Sequence, residues 1–446
     1  MIWVWITSAL VLSFIPLINK KIDLPLYLWL LLPIESYGLN IAGATVRPYI
    51  LFACILPIVF YAKNKGNNID LSLKKSQLIA GIISILILAH SIFISNSSSA
   101  ISGSILLILV YLSAQFSASC TDVNKCDKLC DVLIASCFGI SVVYLVLYAL
   151  FEAGIELSDV VTIAREEPGL LFRRRNMVGG KLVTTYRLRG FANDPNAMFL
   201  PFFFGIPACI SRIFKKFNAY HIVTLVTSIF CVLLSGSRMG LICCILTIVV
   251  VTIIYILQFN NLKKKLISFV VALTSTACAV GVFLTPWGQQ TFANIISSYS
   301  NRSSLTDEYG RFTIWTESLK IFWNENPLMG IGLTRMGDMT STGHSPHNNW
   351  LQLLCECGLI VGGIAIVYFF SVMIYGWIKY KTKPKNDPIS DSYLCILVGY
   401  TMTIVALISV DNYACSYLWF GALMLLQLSP YCKSPDNKLN LTEQTL

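Results

Sequence analysis

The stretch Gly343-His344-Ser345-Pro346-His347-Asn348-Asn349-Trp350 sets two imidazoles and the Asn348 carboxamide directly before a long apolar run. The chain holds only four histidines, and imidazole is the side chain that ordinarily exchanges a proton near neutral pH. At the mouth of a membrane segment, beside polar neighbours rather than lipid, such a pair suits proton chemistry on a membrane-anchored substrate. The same residues also read as a helix start, with Ser345 and Asn348 as caps and Pro346 in the first turn. An i,i+3 histidine pair can bind zinc. The nearby residues that would complete such a site, Cys355, Glu356 and Cys357, fall inside the following apolar run. No metal and no cofactor is expected. Glu356 is costly in a membrane helix unless it faces protein, where it could orient a histidine or pair with Arg311. The residues themselves leave both His344 and His347 open as the base.

Arginine is the second chemically useful type. Arg238 lies in the turn Leu234-Ser235-Gly236-Ser237-Arg238-Met239-Gly240, and Arg311 follows Gly310 at the head of a run ending in Trp323. Arg189 stands in Arg187-Leu188-Arg189-Gly190-Phe191-Ala192-Asn193-Asp194-Pro195-Asn196. A guanidinium donates two parallel hydrogen bonds to phosphate, so these residues could receive a phosphorylated ligand. A lone arginine at a helix end also snorkels to lipid headgroups. The basic segment Arg173-Arg174-Arg175 to Lys181, Arg187 and Arg189 reads equally as a solvated loop or as an electropositive funnel.

These residues are positioned by membrane helices. The 446 residues are 55% hydrophobic and 13% charged, with mean hydropathy +0.68, where soluble domains carry about 25% charged residues. The fold class is an all-α polytopic membrane protein, one integral membrane domain over residues 1–446. Apolar runs from Trp3–Ile18 to Tyr413–Leu428 give twelve or thirteen spans, each needing about 20 residues. The first three are short and broken by Pro25, Pro33 and Pro57. The net charge of +10 reads as membrane orientation, not nucleic-acid binding. Lys63/Lys65, Lys74/Lys75, Lys125/Lys128, Arg212/Lys215/Lys216, Lys263–Lys265 and Lys379–Lys385 fall in alternate loops, which places them in the cytoplasm. The fifteen cysteines lie mostly in apolar runs, where cysteine acts as a small hydrophobe.

Two long external loops follow, 152–194 and 286–349. The second contains Arg311–Trp323, where Ile314, Leu319, Phe322 and Trp323 fall roughly on one helical face and predict an amphipathic surface helix. All the chemically interesting residues gather on this outer side. A transporter would need polar groups along a path through the bilayer, and the spans hold few beyond Glu356 and His90.

The order and spacing of three elements resemble the O-antigen ligase and polymerase superfamily. They are Gly310-Arg311-x-x-x-Trp315, Asn326-Pro327-x-x-Gly330-x-Gly332, and His347-Asn348-x-x-Leu351 with Gly358 seven residues on. The Ser-Gly-Ser-Arg238 turn and Arg189-Gly-Phe-x-Asn-x-Pro-Asn are also similar to that family. Val361 departs from it where a small residue is usual. The resemblance implies a fold of the glycosyltransferase C type in the bacterial inner membrane, with its site facing the periplasm. It implies transfer of a glycan from an undecaprenyl-pyrophosphate-linked donor to an acceptor, lipid-linked for a polymerase or lipid A-core for a ligase. It places His347, Arg311 and Arg238 as catalytic residues, with Arg189, His344, Asn348 and Glu356 around the substrate. A polymerase is the favoured expectation, a ligase the alternative, and a flippase the third. A polymerase would have a chain-length regulator as partner.

Overall fold

A computed structural model describes residues 24–34, 39–41, 44–46, isolated positions between 52 and 62, and then 74–121, 125–153, 171–178, 181–192, 194–215, 217–258, 311–381, 389–410 and 415–431. In chain order its elements are α1 (Tyr27–Leu31), β1 (Leu39–Ile41), β2 (Ala44–Val46), α2 (Lys75–His90), α3 (Ser98–Ser119), α4 (Cys126–Glu152), β3 (Leu171–Val178) and β4 (Lys181–Leu188). There follow α5 (Leu200–Lys215), α6 (Ala219–Leu234), α7 (Arg238–Gln258), α8 (Arg311–Asn324), α9 (Met336–Met339), α10 (Asn349–Cys357), α11 (Ile364–Lys381), α12 (Ile389–Ala406) and α13 (Ser416–Leu428).

The protein is a helical, polytopic membrane protein. Among the described residues, five helices are long and apolar enough to cross a bilayer: Lys75–Ser95, Ser98–Ser119, Cys126–Leu150, Arg238–Gln258 and Asn349–Lys381. Their side chains are arranged inside-out relative to a soluble helix. On α2 the residues Leu78, Ile79, Ile82, Ile85 and Leu86 are exposed, while Gln77, Ala80, Gly81 and Ser84 are buried. On α7 the exposed stripe is Ile242, Ile245, Leu246, Val249, Ile253 and Leu257. Lipid gives apolar groups no reason to turn inward, so small and polar residues take the helix contacts.

Two departures from the expected architecture have local causes. Leu24–Tyr37 is not a continuous span: α1 has five residues and is flanked by 3-10 turns at Leu24–Leu26 and Leu32–Ile34, because Pro25 and Pro33 interrupt the hydrogen-bond ladder. The expected all-α fold also carries two antiparallel hairpins, β1–β2 and β3–β4. The second falls in the 152–194 loop, pairing Leu171 with Leu188 through to Val178 with Lys181. Only Gly179 and Gly180 separate its strands, a pair suited to a two-residue hairpin connection. The runs Trp3–Ile18 and Leu266–Thr285 lie outside the described residues, as does about half of Pro48–Ala62.

The chain divides into two compact units, one of residues 1–18 and 133–302, the other of 19–132 and 303–446. In the first, α5 packs on α6 and α7, and its residues from Leu200 to Ser211 are buried. In the second, α13 packs against α3 and α12, with Trp419 edge-on to Phe369 at 5.0 Å.

The longest membrane segment, Asn349–Lys381, is interrupted. The α-helix stops at Cys357, and Gly358–Gly363 forms a π-helical turn before α11. In an unbroken helix the Leu359 and Ile360 amides would donate to the Cys355 and Glu356 carbonyls. A neighbouring loop replaces both bonds. Leu359 donates to the Pro327 carbonyl at 2.9 Å and Ile360 to the Leu328 carbonyl at 3.1 Å. The freed carbonyls are taken by the loop's own amides, Ile331 to Cys355 at 3.1 Å and Gly332 to Glu356 at 2.9 Å. Irregular backbone in a membrane segment requires such partners. The motif glycines permit the close approach: Gly358 has φ +68° and Gly330 φ +76°.

Candidate active site

Helix α8 begins at Arg311, and its buried stripe of Ile314, Ser318 and Phe322 follows helical spacing. Phe322 joins Ile331, Met336 and Cys355 in a buried cluster, which seats α8 against α10 and the loop between them. A helix is present where the periodicity expects one, with its faces differently assigned. Ile314 and Phe322 point inward, while Phe312, Leu319 and Trp323 are exposed. Phe312, Leu319 and Trp323 are spaced i, i+7, i+11, so they form a second apolar stripe.

This helix holds the histidine loop at two points. The Trp315 indole N–H donates to the Pro346 carbonyl at 2.7 Å. The Glu317 carboxylate accepts from the Ser341 amide at 2.7 Å and from its hydroxyl at 3.1 Å. Within the loop, the Thr340 hydroxyl donates to the His344 carbonyl at 2.8 Å. His344 is exposed and His347 half-buried. His347 has φ +48°, a left-handed conformation costing about 1–2 kcal/mol in a non-glycine residue. Asn348 follows as the N-cap of α10, its Oδ1 accepting from the Trp350 and Leu351 amides at 3.1 and 3.2 Å. The histidine is thus fixed between a tethered proline and a helix cap.

Glu356 is buried. Its Oε1 accepts the Met336 amide at 3.1 Å and the Gln352 side-chain amide at 3.3 Å. These bonds anchor the loop that precedes the histidines. Arg311 reaches another element, its Nη2 donating to the Ser409 carbonyl at 3.4 Å. The Asn349 amide lands on the same turn, within 2.9 Å of both the Leu407 and Val410 carbonyls. Arg311, His344, His347, Asn348 and Glu356 therefore belong to one tied assembly of α8, α10 and the end of α12.

Arg189 and Arg238 belong to the first unit. The buried Arg187 guanidinium donates to the Ser235 carbonyl at 2.8 Å and to Asn196 Oδ1 at 3.0 Å. This ties β4 to the Ser235–Arg238 turn, so Arg187 is a clamp and not part of an open funnel. Two residues on, Arg189 is buried, and Gly190, at φ +59°, packs against the Tyr144 ring. Arg238 is exposed and starts α7, where the Ser237 hydroxyl accepts the Gly240 amide at 3.2 Å.

Arg238 occupies the first residue of α7, where a cation opposes the helix dipole at a cost of about 0.3–1 kcal/mol, so it does not serve its helix. Guanidinium and positive helix end together favour an anion. Among the described residues no cluster of three or more His, Cys, Asp or Glu could hold a metal ion.

Sequence reasoning missed Trp315 as the loop's anchor, Glu317 as the second tether, and the Leu407–Val410 turn. Trp315 carried a signal, since its i+4 spacing from Arg311 puts both on one helical face. The turn carried none, because its carbonyls act through backbone alone.

Residues 223–367, about a third of the chain, match a family model described as O-antigen ligase. That match supports a likeness of this segment to the O-antigen ligase/polymerase-like superfamily. The match runs from within α6 to the first residues of α11 and includes Arg238, Arg311, the histidine loop and Glu356. Comparison with curated protein sequences gave no match.

Proposed function

We propose that this protein is a polysaccharide polymerase of the bacterial inner membrane. It transfers an undecaprenyl-pyrophosphate-linked glycan onto a lipid-linked repeat unit at the periplasmic face. The observation that carries the reading is the histidine loop, tethered by Trp315 to the helix that Arg311 begins, within the family-matched segment.

In this reading His347, as neutral imidazole, accepts the proton of an acceptor hydroxyl. The freed oxygen attacks the donor's anomeric carbon, forming the glycosidic bond as the bond to pyrophosphate breaks. Arg311 and Arg238 take up the charge that develops on the departing undecaprenyl pyrophosphate. The chemistry requires no metal, and direct in-line attack inverts the anomeric configuration. Asn348 sets the backbone of His347 and Glu356 the loop before it. His344 and Arg189 position the acceptor or contact a second phosphate.

The description of the matching family favours a second reading, ligation of the glycan to lipid A-core. Lipopolysaccharide banding separates the two in a deletion strain complemented with wild-type or His347→Ala protein at matched membrane abundance. Loss of the long ladder with one repeat unit still on core supports polymerase. Loss of all O-antigen from core, with polymer building up on the lipid carrier, supports ligase. A normal ladder from His347→Ala removes His347 from the mechanism, and failed export of single units indicates a flippase.

A further inference from the structure

Asn348 and Asn349 are adjacent, but α10 needs only the first. Asn348 supplies the helix cap through its side chain. Asn349 is 2% exposed, and its backbone is fixed by the Leu407 and Val410 carbonyls. Its side-chain Nδ2 is buried with no hydrogen-bond partner among the described residues. A buried donor left without a partner is destabilising, and an apolar residue at this position would avoid that cost. The residue that carries this donor is held on the turn that also holds Arg311, since the Arg311 guanidinium bonds Ser409, between the two carbonyls that hold the Asn349 backbone amide.

We infer that the Asn349 carboxamide donates to a pyrophosphate oxygen of the lipid-linked donor, beside Arg311. The inference rests on the glycan-transfer reading above. An amide nitrogen and a guanidinium both donate and accept nothing, whereas a phosphate oxygen only accepts. Donors from both residues suit a phosphate oxygen, which only accepts. Asn349 is uncharged and cannot form an ion pair with a neighbouring acid in the empty site. It remains available when the ligand arrives.

The test uses the purified full-length protein, with undecaprenyl pyrophosphate as probe. Its binding is measured by calorimetry, and the thermal midpoint of the ligand-free protein is followed in parallel. A hydrogen bond to a charged group is worth enough that Asn349→Ala should weaken binding by about ten-fold or more. Asn349→Asp should weaken it further, by repulsion. Neither the acceptor KM nor the ligand-free midpoint of Asn349→Ala should fall, because the deleted donor makes no bond in the empty protein. Equal binding by wild type and Asn349→Ala overturns the inference, as does a wild type that does not bind the probe. A ligand-free midpoint that drops in step with binding overturns it too, by making Asn349 structural. Failure of the wider reading looks different: wild-type protein binds the probe in an Asn349-dependent way but transfers no glycan.

Discussion

Replacing Gly330 with alanine tests whether the spliced backbone at Gly358 holds the candidate site together. A Cβ on Gly330 would lie 2.3 Å from the Glu356 carbonyl oxygen and 2.5 Å from the Gly358 amide nitrogen. Both contacts are with backbone, so no side chain can rotate away. The Glu356 carbonyl is also the one that accepts the Gly332 amide, so relief of the clash must stretch the bonds that splice loop to helix. The left-handed conformation at φ +76° costs alanine about 1–2 kcal/mol. Overpacking adds about 1–3 kcal/mol, and each of two weakened backbone bonds about 0.5–1.5 kcal/mol. Together these amount to about 3–8 kcal/mol, a large part of a typical folding free energy of about 5–15 kcal/mol.

Gly343 provides the control. Its φ is +69°, yet a Cβ there meets nothing within 4 Å. Gly343→Ala should therefore cost only the conformational part, about 1–2 kcal/mol. The assay is the thermal midpoint of each purified variant in one detergent, together with its abundance in membranes. Gly330→Ala should show a much lower midpoint and reduced abundance, with Gly343→Ala close to wild type. Equal midpoints for the two variants would refute the splice argument, because then conformation alone, and not the close approach of the two backbones, would account for the glycine.

Trp315→Phe keeps an aromatic side chain but removes the N–H that holds the Pro346 carbonyl. It should lower the turnover of glycan transfer about ten-fold, by the loss of one buried hydrogen bond, while leaving donor KM and membrane abundance unchanged. Transfer kinetics at matched protein level check this, and full activity would show that the tether is dispensable. Lys74 carries a pH-dependent prediction. Its Nζ donates to the Leu426 and Gln427 carbonyls at 3.3 and 2.7 Å, and burial lowers its pKa from 10.5 to about 8. The unfolded lysine binds its proton more tightly than the folded one, so the destabilisation is fully present below pH 8. It is relieved as pH rises from about 8 towards 10.5. The thermal midpoint should climb over that interval in wild type and climb less in Lys74→Met. A wild-type midpoint unchanged between pH 8 and 10 would show that the partly exposed ammonium is well solvated.

What was legible in the sequence follows from how each feature is encoded. The spans on α2, α3, α4 and α7 were readable because a bilayer imposes length and apolarity directly on the residues. The helix starting at Arg311 was readable from its periodicity, but its faces were not. Helical spacing groups residues into stripes, and α8 has two apolar ones, of which hydropathy cannot say which meets protein. Ser318 lies in the buried stripe and Leu319 in the exposed one, the reverse of their polarity. The hairpin of 171–188 was hidden because its arginine run has the composition of a solvated loop, and only the paired register of two eight-residue strands gives it away.

The site was legible where chemistry demands a residue type, and illegible where backbone does the holding. His347 and Arg311 stand out because few other side chains could serve as base or phosphate partner. The Leu407–Val410 turn, which receives both Arg311 and the start of α10, uses carbonyls that any residue would offer. Glu356 falls between these cases. Its burial in a membrane segment marks it as unusual, and the backbone and amide donors it receives at the foot of the histidine loop have no signature in the sequence. The break at Gly358 explains why it can be there. The same interruption that frees the Cys355 and Glu356 carbonyls brings the 327–333 loop against α10. That loop in turn leads to Met336, whose amide the carboxylate receives. The two motif glycines, the buried acid and the strained histidine thus form one structural chain, running from a broken membrane helix to the group proposed to take the acceptor's proton.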